Sequence, residues 1–309
     1  MGAYEIQLAA ETGGRLPDFL LLGAMKSGTT TLYQQLRDHP DLFLSRPKEP
    51  QYFSRESQRR RGIDWYTSLF AHARDDQRCG EASTCYTRYP HFGDVAGRIA
   101  DQLPNVRMVY VMRHPAERCY SHYRHVMQER ISSGNEAAVV SLEEALSSLP
   151  EIVDASLYAV QISQFFAHFP REQFHFLTLD ELRADPEPTM SALLEFLGAR
   201  PEVRSESREV YANQFGDDFA HREMHKLVGR LRGSTPLTGL VPRPVRAWVR
   251  RRLTDPRITR HVFRGSIDRV RSRISEFTPE TRRELIARFI APNLELGELL
   301  KRPLPNWDA

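Results

Sequence analysis

Cysteine is scarce: the 309 residues hold three, Cys79, Cys85 and Cys119. Three thiols at no metal-ligand spacing supply neither a disulfide framework nor a zinc site, and they favour a reducing, cytoplasmic setting. No stretch approaches the ~18 uninterrupted apolar residues of a membrane span. Glu5 and Glu11 sit where a secretory leader would need its apolar run, so the sequence predicts neither anchor nor leader. A large excess of charge of one sign is missing too. The 43 basic and 40 acidic residues leave +3, too balanced for wholesale nucleic-acid binding. There is no internal repeat and no low-complexity tract. What remains, 40% hydrophobic and 27% charged residues, is ordinary globular composition with chain enough for a sizeable core. The charge is unevenly spread, however: residues 229–273 carry thirteen arginines against two acids, Asp255 and Asp268.

The short apolar run from Phe19 to Gly23 reads as a strand buried on both faces of a parallel sheet. Leu32, Tyr33 and Leu36 then recur at helical spacing until Asp38, His39 and Pro40 stop the pattern. A second strand, Val106 to Met112, turns at His114 and Pro115 into another helix. On that helix Ala116, Cys119, Tyr120, Tyr123 and Met127 form a packing face, and Arg118, Ser121, His122 and His125 a face expected to meet a ligand. Leu157 to Phe169 predicts a helix, Phe174 to Leu179 a strand, and Met190 to Leu197 a helix closed by Gly198. Loops and short helices are expected over 200–278, and a last helix over Pro279 to Leu300. The alternation implies a three-layer α/β fold, a central parallel sheet flanked by helices. It is read as one domain over 1–309, with a core at 17–200, a variable region at 201–278 and C-terminal helices at 279–309.

Between the first strand and its helix lies Gly23-Ala24-Met25-Lys26-Ser27-Gly28-Thr29-Thr30. Free backbone N–H groups and the positive end of a helix dipole favour an anion there. Lys26 adds a point charge, and Ser27, Thr29 and Thr30 add hydroxyl donors. A tight turn with an N-cap is the plainer alternative. A nucleoside-triphosphate loop has its lysine directly after the last glycine and draws on a metal-binding acid at a neighbouring strand end. Here Lys26 precedes Gly28 by two, and the strand ending at Met112 is followed by Arg113. The pattern points to a phosphate-rich ligand neutralised by protein cations, with no metal. Arg113 and Ser121, on the second strand and helix, are placed to clamp a second phosphate, unless Arg113 is an ordinary ion-pairing strand end.

With these residues in view, Pro17–Pro40 resembles the 5′-phosphosulfate loop of sulfotransferases that use 3′-phosphoadenosine 5′-phosphosulfate (PAPS). Val109–His125 resembles their 3′-phosphate motif, R-[DN]-P-x-x-R-x-x-S. The segments 48–53, 62–66 and 80–83 are similar to the heparan-sulfate branch. The resemblance implies a P-loop-like fold and sulfuryl transfer to a hydroxyl or amine of a saccharide, glycolipid or small natural product. It implies that Lys26, Ser27, Gly28, Thr29 and Thr30 hold the 5′-phosphosulfate, that Arg113 and Ser121 hold the 3′-phosphate, and that Glu49 is the catalytic base, with Lys26 also catalytic. Lys48, Trp65 and His122 are acceptor-site candidates, Tyr66 could join Trp65 in lining the acceptor cleft, and Asn213 is a further nucleotide contact. Two positions depart from the pattern: His114 replaces an acid or Asn, and Ala82 stands where the branch often has Lys. A nucleotide-dependent kinase and an inactive nucleotide- or carbohydrate-binding protein are the competing readings. In 229–273, Val245, Trp248, Val249 and Leu253 share a helical face ringed by Arg246, Arg250, Arg251 and Arg252. That pattern suits a lid, an anionic acceptor, peripheral membrane contact or a packed helix with solvated arginines.

Overall fold

The computed structural model describes residues 14–201 and 272–308, together with Arg264, Gly265 and Asp268. Asn213 and most of the arginine-rich stretch lie outside the described residues. The described residues fall in two compact units. One comprises 14–122, 146–201 and 277–308; the other comprises 123–145 with 264–265, 268 and 272–276.

The larger unit is built on five strands, β1 (Phe19–Gly23), β2 (Leu42–Leu44), β3 (Arg78–Ala82), β4 (Arg107–Met112) and β5 (Phe174–Thr178). All pair in parallel in the order β2-β3-β1-β4-β5. Side chains alternate across a strand, so β1 feeds both faces of the sheet. Leu20 and Leu22 join one apolar cluster, Phe19 and Leu21 the other. Helices cover each face. Against the first lie α2 (Gly62–Ser68), α3 (Val95–Gln102), α5 (Tyr158–Phe166) and α7 (Pro279–Leu300), through Tyr66, Ile99, Ile162 and Leu296. Against the second lie α1 (Thr29–Arg37) and α6 (Pro186–Leu197), through Leu32, Leu36, Leu193 and Leu197. Each such fully buried side chain contributes about 1.5–3 kcal/mol. The long helix α4 (Pro115–Ser132) follows β4.

The expected strands at β1, β4 and β5 form within a residue of their predicted ends, and α7 spans the residues expected of it. Helix α6 begins four residues before the expected start, because Pro186 occupies its first position, where a missing N–H costs nothing. Two strands were not predicted. β2 has three residues, and β3 reads Arg-Cys-Gly-Glu-Ala, with a glycine and a carboxylate where a buried strand is normally aliphatic. Gly80 is there because a Cβ would fall 2.2 Å from the Phe19 ring on the neighbouring strand.

In the smaller unit, the buried Tyr123 donates its hydroxyl to the Val140 carbonyl at 3.0 Å and accepts from the Ser275 N–H at 3.1 Å. Arg273 pairs with Glu136.

Candidate functional site

In an open parallel sheet the crevice forms at the carboxyl ends of the strands where chain order reverses. Here that point is β1, with β3 on one side and β4 on the other. The loop 24–28 leaves β1 there, held by the Ala24 N–H on the Val111 carbonyl at 2.7 Å. Gly28 caps α1 at φ 91°, and a Cβ on it would come within 2.9 Å of Leu179, so the turn demands glycine. No side chain caps α1 and no acid stands in its first turn, so the positive end of its dipole goes unneutralised by its own residues. Ser27 is fully buried, and its hydroxyl has no hydrogen-bond partner. Burial pushes the pKa of the Tyr158 hydroxyl up, with Arg118, the Arg113 backbone and Ser27 opposing the rise.

Arg113, at the end of β4, joins the loop: its Nη1 stands 3.5 Å from the Lys26 carbonyl and its Nη2 3.5 Å from Glu117 Oε2. The Tyr158 hydroxyl donates to the Arg113 carbonyl at 2.7 Å and fixes the strand end. Burial lowers the Arg113 pKa, with Glu117 opposing it. Ser121 lies two turns further along α4 and is partly exposed. His114, the first departure from the motif, has both ring nitrogens buried without a partner, and burial lowers its pKa.

The expected open face of α4 is not open at two of its members. Arg118 is fully buried, donating to the Ile152 carbonyl and the Ser156 hydroxyl, with Nη1 3.5 Å from the Met25 carbonyl in the loop. His122 is 1% exposed, its Nδ1 3.4 Å from Arg118 Nη1. The segment 152–156 covers this part of the helix, with Ile152 and Ser156 meeting the Arg118 guanidinium. Tyr120, expected to pack, is only partly buried and stacks on Phe277 at 4.6 Å.

Glu49 stands at the same end of the sheet. Its N–H donates to the Ala82 carbonyl at 2.9 Å, and the next residue, Ser83, donates its N–H to Leu21 of β1 at 3.2 Å. The Glu49 carboxylate is gripped by the Thr84 N–H at 2.9 Å, the Thr84 hydroxyl at 3.0 Å and Lys48 Nζ at 2.8 Å. Lys48 therefore puts a cation beside Glu49, while Ala82 is fully buried. Among the described residues four non-glycine residues have φ in the left-handed region, and three of them, Lys26, Glu49 and Gln51, lie in these two segments. Such strain costs about 1–3 kcal/mol per residue and gathers at functional sites. Trp65 is partly exposed with the Arg61 guanidinium 3.8 Å over its ring, whereas Tyr66 is fully buried.

Sequence reasoning passed over Glu81, on β3 beneath this segment. It is fully buried, and its carboxylate accepts from Tyr86 at 2.6 Å, Ser83 at 2.8 Å and Tyr66 at 2.9 Å. Burial pushes its pKa up to about 7 against the pull of those three donors, and the Glu49 charge adds to the rise. Both tyrosine hydroxyls are raised well above their ordinary range, chiefly by burial.

Among the described residues no group of three or more His, Cys, Asp and Glu is placed to hold a metal ion, and no helix is long and apolar enough to cross a membrane. A family model described as a sulfotransferase domain matches residues 16–216. The chain is 29% identical over 210 residues to human bifunctional heparan sulfate N-deacetylase/N-sulfotransferase 3, covering 62% of this chain and 23% of that protein. It is 29% identical over 208 residues to human heparan sulfate glucosamine 3-O-sulfotransferase 6, covering 65% of this chain and 58% of that one. The chain thus spans about a quarter of the first relative and somewhat over half of the second. A sulfotransferase structure from Alicyclobacillus acidocaldarius aligns with TM-score 0.63 over 96% of this chain and all of that one, at 23% identity, a likeness of fold.

Proposed function

Because the chain belongs to the sulfotransferase family, we propose that it moves a sulfuryl group from PAPS to a hydroxyl or amine of an acceptor by in-line displacement. The observation that carries this reading is the loop after β1. A buried Ser27 hydroxyl lacking a partner, a helix start without cap or acid, and Arg113 resting on the Lys26 carbonyl form a cradle for a phosphate-rich anion. Lys26, Ser27, Gly28, Thr29 and Thr30 would hold the 5′-phosphosulfate, and Arg113 and Ser121 the 3′-phosphate. The donor supplies an activated sulfuryl group on a good leaving phosphate.

The protein's share is positioning and charge stabilisation. As the acceptor oxygen or nitrogen bonds to sulfur, the bond from sulfur to the bridging phosphate oxygen breaks. Lys26 and the loop amides stabilise the charge gathering on that oxygen, and Glu49 takes the proton the acceptor gives up. Thr84 and Lys48 hold the Glu49 carboxylate from two sides, leaving acceptor capacity on its oxygens for that proton.

The matched relatives bear names of enzymes acting on heparan sulfate, which supports a saccharide acceptor carrying a glucosamine amine or hydroxyl. The test is incubation with PAPS and a de-N-sulfated heparan oligosaccharide, with sulfated product read by mass. Transfer is expected, falling about 10²–10⁴-fold in Glu49→Gln with donor affinity unchanged. Full turnover in that variant removes Glu49 from the base role, and absence of transfer to hydroxyl and amine acceptors alike removes the reaction.

A further inference from the structure

The segment that carries Glu49 is bent, and something must hold it bent. Glu49 and Gln51 have φ of 63° and 58°. Main-chain bonding to β3 accounts for one anchor, the Glu49 N–H on the Ala82 carbonyl. The next two anchors end on side chains. The Gln51 N–H donates to the Ser83 hydroxyl at 3.0 Å and the Phe53 N–H to the Tyr86 hydroxyl at 3.4 Å. Both hydroxyls spend their own protons on one group, the carboxylate of Glu81: Ser83 at Oε2 and Tyr86 at Oε1. The third donor to Glu81, Tyr66, stacks on Tyr52 with centroids 4.5 Å apart and meets Phe53 edge-on at 5.3 Å. Each of the three donors to the Glu81 carboxylate thus leads within one step to residues 51–53.

From this we infer that Glu81 is a positioning residue of the transfer reaction, its buried carboxylate orienting the Ser83 and Tyr86 hydroxyls so that they pin the strained Glu49–Phe53 segment and aim the Glu49 carboxylate. A carboxylate is the group suited to the task, since it accepts from several hydroxyls at once and offers no competing donor, leaving each hydroxyl oxygen free to receive a main-chain N–H. A structural role alone would be served at lower cost by an apolar side chain with Phe at 66 and 86, because burying a carboxylate costs several kcal/mol before its hydrogen bonds offset it. This inference rests on the assignment of Glu49 as base, and two different readouts separate the two.

The first readout needs no turnover: amide hydrogen exchange of the protein without ligands. In Glu81→Gln, and in Ser83→Ala, which keeps the carboxylate and removes the link, the Gln51 amide is expected to exchange at least ~10-fold faster while β1 amides are unchanged. The second is kinetic, with PAPS and the de-N-sulfated oligosaccharide. Each variant is expected to lose about 10²-fold in kcat with the Kd for adenosine 3′,5′-bisphosphate unchanged, and the double variant to lose no more than the worse single one. Unchanged Gln51 exchange in both variants, or kcat losses that multiply in the double variant, overturns the inference. If the wild-type protein transfers nothing, the reaction assigned above fails and the exchange comparison still decides the role of Glu81.

Discussion

Glu81 makes stability depend on pH in a direction set by burial, and Glu81→Gln removes that dependence. A carboxyl with an unfolded pKa near 4.5 and a folded pKa of about 7 holds its proton more tightly in the native state than in the unfolded chain and ionises above neutral pH. Its contribution is therefore fully present below pH ~4.5 and is lost as pH rises through 7, because the native state resists the ionisation that the unfolded chain undergoes freely. The full loss is about 3 kcal/mol, from 1.36 kcal/mol for each pH unit between the two values, and roughly 2–3 kcal/mol of it falls between pH 5 and pH 8. Glutamine keeps the shape without the ionisation. Denaturant unfolding of both proteins at pH 5 and pH 8 cancels every other titrating group, so the difference between them is expected to move by roughly 2–3 kcal/mol toward the variant at the higher pH. A difference constant to within about 0.5 kcal/mol would show that the three hydroxyl donors outweigh burial and that Glu81 is ionised throughout.

Ser27→Ala should separate stability from binding: removing a buried hydroxyl with no partner leaves the unliganded protein as stable or up to about 1 kcal/mol more stable, while the Kd for adenosine 3′,5′-bisphosphate weakens about 10-fold by calorimetry. Gly28→Ala forces a side chain into a left-handed turn and against Leu179, so a loss of about 1–3 kcal/mol in chemical unfolding and weaker bisphosphate binding are expected together. Arg118→Leu removes the guanidinium's hydrogen bonds to the Ile152 carbonyl and the Ser156 hydroxyl, leaving them the Cys119 thiol and the Pro115 carbonyl, which should cost about 1–3 kcal/mol, read from denaturation midpoints.

The sequence-based reading went furthest where one residue's chemistry and its neighbours in the chain determine structure. β1 is apolar throughout because both its faces are buried, and the loop that follows it is small and hydroxyl-rich, the composition that an anion-binding turn requires; both features are visible in a stretch of twelve residues, Phe19 to Thr30. Arg113 was legible as a cation at a strand end, and the structure brings it onto the loop through the Lys26 carbonyl. What stayed hidden depends on contacts distant in the chain. Glu81 has no periodic signal, since its partners Tyr66 and Tyr86 come from two other elements and a carboxylate in a strand ordinarily marks a solvated face. Arg118 and His122 fell on the polar side of the wheel, but the turn around Ile152 and Ser156 covers that side and satisfies the guanidinium internally. Ala82 reads as a missing cation; the structure places the ammonium of Lys48 2.8 Å from Glu49 on the neighbouring segment.

The most direct test of donor binding is a thermal-shift titration with adenosine 3′,5′-bisphosphate against Mg·ATP, repeated in Arg113→Ala. A ligand at ~100 times its Kd adds about 2.7 kcal/mol of stability. Stabilisation by the bisphosphate, lost in the variant and not reproduced by Mg·ATP, is the expected result. Stabilisation by Mg·ATP alone would contradict it and make the chain a metal-dependent nucleotide enzyme.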